Sequence, residues 1–245
     1  MAYFKDFPTT LYYFGNEDEV VSFQDISTYV EIIDTIKDES AFYTKYYIQD
    51  NERPDQLSFK LYGTPEFHWT FYLLNDNIRE QGWPMSNTEI VEYAQKELPK
   101  DVITTKSVLT DKTVMLNGNT IVGTRGGTAT IDHRHLDLGQ LVLTNVSGNF
   151  LAGEQVRSAE TNENGELETI IVESYGVEYL SAHHYEDGNE LHADIDPTVG
   201  PGALLSEVTH LDRYIRLNNK LKEIKIIKPT SIFEVVELFN EALRS

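Results

Sequence analysis

The residues best equipped for chemistry are histidines and carboxylates in two stretches. Asp132, His133, His135 and Asp137 alternate, so on a strand His133, His135 and Asp137 share one face. Such a face offers two imidazoles and a carboxylate to a metal ion. His183, His184 and His192 offer a second set. Alternation is also what any polar strand face produces. Neither a cysteine nor a His-Glu-x-x-His helix accompanies these residues, so no metal is expected. Catalysis has less support. No Gly-x-Ser-x-Gly elbow, phosphate-cradling glycine loop or zinc-protease motif occurs. Gly123-Thr124-Arg125-Gly126-Gly127 lacks a strand-to-helix setting and a Lys-Ser/Thr ending, and reads as a turn. With 40 Asp and Glu in the chain, pairs of acids carry no information. A cell-wall hydrolase needs a carboxyl in a formed cleft, and none is nominated. The expectation is no enzyme and no cofactor.

Composition narrows the class. A chain of 245 residues can bury a real core. A hydrophobic content of 40% and aromatic content of 11% mark it as folded. The 14 tyrosines suit interfaces, where the ring is buried and the hydroxyl bonded. With 0 cysteines there are no disulfides and no thiolate ligands. No apolar run approaches a membrane span. Met1-Ala2-Tyr3-Phe4-Lys5-Asp6 has no basic segment leading into an apolar core, so it does not read as a signal peptide. The net charge of −20 argues against nucleic acid, whose phosphates need Lys and Arg. Most of the acids lie in residues 1–212. Residues 213–245 are mildly basic and could dock on an acidic neighbour.

The elements that would position any site are best punctuated between Tyr46 and Trp83. Tyr46-Tyr47-Ile48 reads as a strand. Pro54 suits a first helical position, and Asp55 lies in that first turn, where the helix dipole favours negative charge. Leu57 and Leu61 share a face, and Gly63 supplies a left-handed stop. Thr64 and Pro65 start a second helix, whose stripe is Phe67, Phe71 and Leu74. Asn75-Asp76-Asn77 has turn chemistry, and Gly82-Trp83-Pro84 is an extended exit.

Around this module the remaining chain falls into recognisable parts. Leu11–Phe14 and Val20–Phe23 form a hairpin with an acidic loop. Ile26, Tyr29, Val30 and Ile33 predict a helix to about Lys37. Ser86 and Glu89 have capping-box spacing before a helix that ends at Pro99. From Val102 helical periodicity vanishes. Asn117-Gly118 predicts a hairpin between Thr113–Leu116 and Asn119–Val122, and Asn164-Gly165 another between Gln155–Arg157 and Leu167–Val172. An all-β insert, barrel-like or sandwich-like, is expected over about 102–176. Residues 183–203 read as a polar linker. Leu204, Val208, Leu211 and Ile215 restart a helix. Glu223–Lys228 is a short strand, and Ile232, Val235, Val236 and Phe239 line a last helix. The class is α+β, in segments 1–100, 101–180 and 181–245. The last segment is either an arm that packs on a partner or a piece that folds back on the N-terminal module.

The central plan of strand, helix, helix and strand resembles a LysM module. Its spelling, Arg53-Pro54-Asp55-Gln56-Leu57, Leu61-Tyr62-Gly63-x-Pro65, Trp69 and Leu74-Asn75-Asp76-Asn77, resembles the baseplate wedge protein of T-even-type contractile-tailed bacteriophages. Leu221–Lys228 and the helix after it resemble that family's C-terminus. Leu143–Phe150 resembles a repeat of other phage structural proteins. The resemblance implies a structural virion protein of the tail baseplate, made in the host cytoplasm. It implies a clamp on the wedge's core-bundle protein and on the lysozyme-like, sheath-initiating subunit, joining neighbouring wedges around the hub. Partner-binding residues are then expected at Arg53, Asp55, Asn77 and Trp83 in the module, and at Leu221, Ile224, Ile226 and Phe239 in the arm. The alternative is a LysM-type module contacting peptidoglycan. Sugar-binding LysM loops usually spell Gly-Asp-Thr, whereas this chain has Asn51-Glu52-Arg53-Pro54-Asp55, which weighs against a glycan.

Overall fold

A computed structural model describes residues 9–13, 20–24, 42–106, 115–196 and 198–244. The helix expected from Ile26 to Lys37, the acidic loop of the first hairpin, and Thr113 and Val114 lie outside the described residues. The chain divides into two compact units: residues 1–86 with 218–245, and residues 87–217. The fold is α+β.

In the first unit, β1 (Thr9–Tyr13) and β2 (Val20–Gln24) form an antiparallel hairpin with Tyr13 opposite Val20. A second, separate sheet pairs β3 (Tyr43–Tyr47) antiparallel with a strand from the far end of the chain, Glu223–Ile227, in which Lys45 lies opposite Lys225. Three short helices follow β3. In α1 (Pro54–Tyr62) the proline sits in the first turn, the Gln56 side chain accepts from the Arg53 N–H at 3.4 Å, and Gly63 stops the helix at φ 74°. Thr64 accepts from the Glu66 N–H and opens a 3-10 turn, Pro65–Phe67, before α2 (Trp69–Leu74). Asn75-Asp76-Asn77, expected as a turn, instead starts a further helix, α3 (Asp76–Gln81). Residue types that favour turns also favour helix starts, because both leave backbone N–H groups to be satisfied.

These helices bury Leu57, Phe71, Leu74 and Ile78 against Ile48 and against Ile224, Ile226, Ile227, Ile232 and Val235 from the end of the chain. The Tyr62 hydroxyl donates to the Ile227 carbonyl at 3.0 Å. The C-terminal segment therefore folds back on the module and supplies half of its core. This differs from a division at residues 100 and 180. Residues 181–217 belong to the second unit, while 218–245 complete the first.

In the second unit, α4 (Asn87–Glu97) buries Ile90 and Ala94 and ends before Pro99. Six antiparallel strands then close a barrel: β4 (Asp101–Thr105), β5 (Thr120–Gly123), β6 (Thr128–His135), β7 (Gln140–Ser147), β8 (Gln155–Thr161) and β9 (Leu167–Val177), in the order β4-β7-β6-β5-β8-β9. Closure leaves no free edge. Ile103, Ile121, Ile131, Leu141, Val156 and Ile170 fill the interior with Met115 and Phe150. The Asn164-Gly165 hairpin between β8 and β9 is present, with Gly165 at φ 78°. At Asn117-Gly118 the turn is present, with Asn119 donating to the Leu116 carbonyl at 3.0 Å, but the described residues before it, Met115 and Leu116, are not in a strand, and Gly118 donates to the Ile131 carbonyl of β6. The hairpin partner of β5 is β6, reached through the Gly123–Gly127 turn, where the Gly123 N–H meets the Gly127 carbonyl at 2.7 Å.

The supposed linker is also partly folded. After a 3-10 turn (Glu178–Leu180), β10 (Ala182–Glu186) lies between β11 (His192–Ala193) and β12 (Ser206–Thr209) in an antiparallel sheet. The helix expected from Leu204 starts only at His210, as α5 (His210–Lys222). Thr209 and Asp212 cap it reciprocally: the Thr209 hydroxyl accepts from the Asp212 N–H, and the Asp212 carboxylate accepts from the Thr209 N–H, both at 3.0 Å. From Asn218 onward the chain belongs to the first unit, which ends with β13 (Glu223–Ile227) and α6 (Ile232–Arg244).

Candidate docking surface

The Tyr46–Trp83 module is locked at its first loop by Glu52. Its carboxylate accepts from the Tyr46 hydroxyl at 3.0 Å, the Gln49 N–H at 3.0 Å and the Lys60 ammonium at 2.9 Å. Burial alone would raise the Glu52 carboxyl, but these donors together hold it below the usual carboxylate range. Its main-chain carbonyl accepts from the Trp83 indole N–H at 2.7 Å. Trp83 also lies against Phe71 and Tyr72, with ring centres 5.9 and 6.0 Å away. The loop before α1 and the loop after α3 are thus joined through Trp83.

The expected partner-binding residues separate into two kinds. Arg53 is exposed and its guanidinium meets the Asp55 carboxylate at 3.2 Å. Asp55, Asn77, Trp83 and Leu221 are half-buried. Ile224, Ile226 and Phe239 are buried in the chain's own core, so in this fold they are not available to a partner. Phe239 lies against Trp69, with ring centres 4.8 Å apart. The period-2 and helical patterns identified Ile224, Ile226 and Phe239 as an apolar face correctly, but that face points inward onto α1–α3.

The exposed apolar groups lie elsewhere. Leu11 is 72% exposed, Tyr13 54% and Val20 56%, on a ribbon of two strands whose residues 9–13 and 20–24 carry no charge. Phe59 of α1 and Phe233 of α6 are 62% and 67% exposed. A lone two-stranded ribbon is marginal in water, and uncovered aromatic and aliphatic groups of this kind are what a protein partner buries. Sequence patterning could find the ribbon but not the exposure of Leu11, Tyr13 and Val20.

The histidine stretches do not assemble a metal site. His133 and His135 meet at right angles with ring centres 5.1 Å apart, and Asp132 is taken by Lys100 at 2.6 Å and by His133 at 2.7 Å. Asp137 is exposed in the turn after β6. Among the described residues no group of three or more His, Asp or Glu side chains is placed to hold a metal ion. Among them, too, no helix is long and apolar enough to cross a membrane.

Residues 22–100 match the family model of base plate wedge protein 53. The chain resembles a phage baseplate wedge protein. The matched stretch contains the end of β2, then β3 and α1–α4, and so includes every module motif that pointed to the wedge family. No curated protein matches the chain.

Proposed function

We propose that this protein is a clamp in the baseplate wedge. Its LysM-like module docks on the wedge's core-bundle protein and on the lysozyme-like, sheath-initiating subunit, and links one wedge to the next around the hub. The observation that carries this reading is the family match over residues 22–100. Two features support it. β13 pairs with β3 after three short helices, α1–α3, so the frame we read as LysM-like draws on residues 43–81 and 223–227, with residues 87–217 between its last helix and its closing strand. The uncharged ribbon of β1 and β2 and the exposed Phe59 and Phe233 offer the apolar anchors that permanent interfaces bury. The segment most suited to docking is therefore the ribbon, with Arg53 at the head of α1 as a polar contact.

The test is co-expression of the full chain with the other wedge proteins of the same phage, read by size-exclusion chromatography with light scattering. A stable complex is expected, weakened when Leu11, Tyr13 and Val20 are changed together to Ser. Absence of a complex with any wedge protein would overturn the clamp. Titration with chito-oligosaccharides separates the alternative: saturable binding would move the module to the glycan-binding class. The joining of the two groove loops through Trp83 and the Glu52 carbonyl argues against that outcome.

A further inference from the structure

Six of the seven histidines lie in the unit of residues 87–217, and they are gathered together. His133 and His135 stand on β6, His183 and His184 on β10, His192 on β11, and His210 is the first residue of α5. The His183 ring lies 5.0 Å from both His184 and His210, centre to centre, and His184 is stacked 5.4 Å from His192. His135 and His133 are close enough to act on the titration of His210. Two hydrogen bonds tie the same elements together: Gln140 of β7 donates to the Ala182 carbonyl at 3.0 Å, and the His210 N–H to the Ser181 carbonyl at 3.2 Å.

The charges around this layer leave little room for added protons. Asp132 is committed to Lys100 and His133. Glu186 accepts from Arg216 at 2.6 and 2.8 Å and from His184 at 2.9 Å. His183 and His184 meet through their Nδ1 atoms at 2.9 Å. That contact holds one proton: if His184 donates Nε2–H to Glu186, its Nδ1 accepts from His183. Protonating both rings fully would set N–H against N–H. Arg213 of α5 adds positive charge beside His183 and His210. The acids that face His135 are Asp137 and Glu178. Glu178 also lies 3.8 Å from His133, and Asp194 lies 3.8 Å from His192.

We propose that this histidine layer is an acid-operated latch, which holds β10–β12 and the start of α5 on the barrel at neutral pH and releases them in mild acid. Burial, followed by the neighbouring cations, lowers His183 below its ordinary range and His210 to about 4. Burial lowers His135 as well, despite its two acids. A histidine whose folded value lies below its unfolded one contributes stability that is present above the unfolded value. That contribution fades as the pH falls from the ordinary 6.5 toward the folded value, which for His210 is about 4.

Hydrogen exchange of the full chain between pH 7.5 and 4.5, corrected for intrinsic rates, tests the latch. The amides of residues 182–193 and 206–212 should lose protection below about pH 6, steepening by up to about tenfold per pH unit for each proton taken up. The barrel strands β4–β9 should stay protected. Unchanged protection of β10–β12, or a simultaneous loss across barrel and sheet, would overturn the proposal. The His183→Gln/His210→Gln double variant should flatten the response, and an unaltered response in a folded variant would overturn it too. Ring titration of the unmodified chain by NMR is the independent check: His183 and His210 titrating near 6.5 with no opening would sink the latch.

Discussion

The side-chain amide of Asn75 pairs with the backbone of Lys225, 150 residues away, as a neighbouring strand would. Asn75 Oδ1 accepts from the Lys225 N–H, and Asn75 Nδ2 donates to the Lys225 carbonyl, both at 2.7 Å. The same Nδ2 also reaches the Phe71 carbonyl at 2.8 Å. Lys225 lies opposite Lys45 in the β13–β3 pair, and Asn75 satisfies its backbone from the other side. Asn75 is buried, so no water replaces it. Asn75→Leu should orphan both Lys225 groups at about 1–3 kcal/mol each. Asn75→Asp keeps the acceptor and loses the donor, and should be intermediate when read by thermal melting. Equal melting of Asn75→Leu and the unmodified chain would show that β13 needs no such clasp.

Removing the end of the chain should unfold the module rather than free it. Deletion of residues 218–245 takes away Ile224, Ile226, Ile227, Ile232, Val235 and Phe239, all buried in the first unit. It also strips β3 of its partner strand. Each of these apolar groups contributes about 1.5–3 kcal/mol by burial, and their sum is of the order of the whole stability of a typical domain. Loss of the cooperative melt of residues 42–86 is expected. A truncated chain that melts normally would restore the idea of a detachable arm.

Local chemistry announced the local structure. Pro54, Gly63 and Thr64 each do in the fold what their backbone preferences favour, and the Asn164-Gly165 turn lies between the strands it separates. The non-local pairing was silent. Nothing near Glu223 or Tyr47 states that these two residues face each other across 175 others. The sheet of β10–β12 was hidden for a different reason: its strands are short and carry His183, His184, Glu186 and His192, so no apolar alternation marks them. Direction was the missing quantity at Ile224, Ile226 and Phe239. Their periodicity shows a face, and only the fold shows that it is turned inward.

Trp69 and Arg53 should respond oppositely to truncation at Cβ. Trp69 is half-buried against Phe239, whereas Arg53 is exposed and paired with Asp55 at 3.2 Å. Trp69→Ala should cost toward the lower end of about 3–5 kcal/mol, given its partial exposure. Arg53→Ala should cost about 0–1 kcal/mol, and should weaken association with wedge partners without changing the melt. Equal loss of melting temperature in both would take Arg53 out of the interface and place it in the module's frame.

The Glu52 lock should make the module sensitive to acid in a window distinct from that of the histidines. Burial opposes its charge, but Gln49, Lys60 and Tyr46 hold its carboxyl below the ordinary 4.5. A depressed carboxyl contributes stability that is present above the unfolded value and lost as the pH falls below it. Glu52→Gln should therefore lower the melting temperature at pH 7 and narrow its gap to the unmodified chain below about pH 4, because protonation weakens the same contacts. A gap that is constant with pH would show that shape rather than charge sets the role of Glu52.

The turn between β5 and β6 should tolerate no added carbon at Gly127. A Cβ there would lie 2.8 Å from the Asn149 carbonyl oxygen and 3.2 Å from the Phe150 ring, which fills the barrel interior. The clash is with backbone, so a rotamer change cannot relieve it. At Gly123 a Cβ would meet the Glu154 carboxylate at 2.7 Å. That carboxylate is buried and accepts from the Arg125 N–H at 2.6 Å and the Leu151 N–H at 3.0 Å, tying the turn to the loop that carries Phe150. Gly127→Ala should destabilise the barrel by about 1–3 kcal/mol through overpacking. Gly123→Ala should break the Glu154 contacts as well. Gly126 makes the control: nothing lies within 4 Å of its Cβ position, but its φ of 94° strains any side chain. Gly126→Asn should then be milder than Gly126→Val, and equal melting of these two would show that the turn can shift and that the barrel does not depend on its shape.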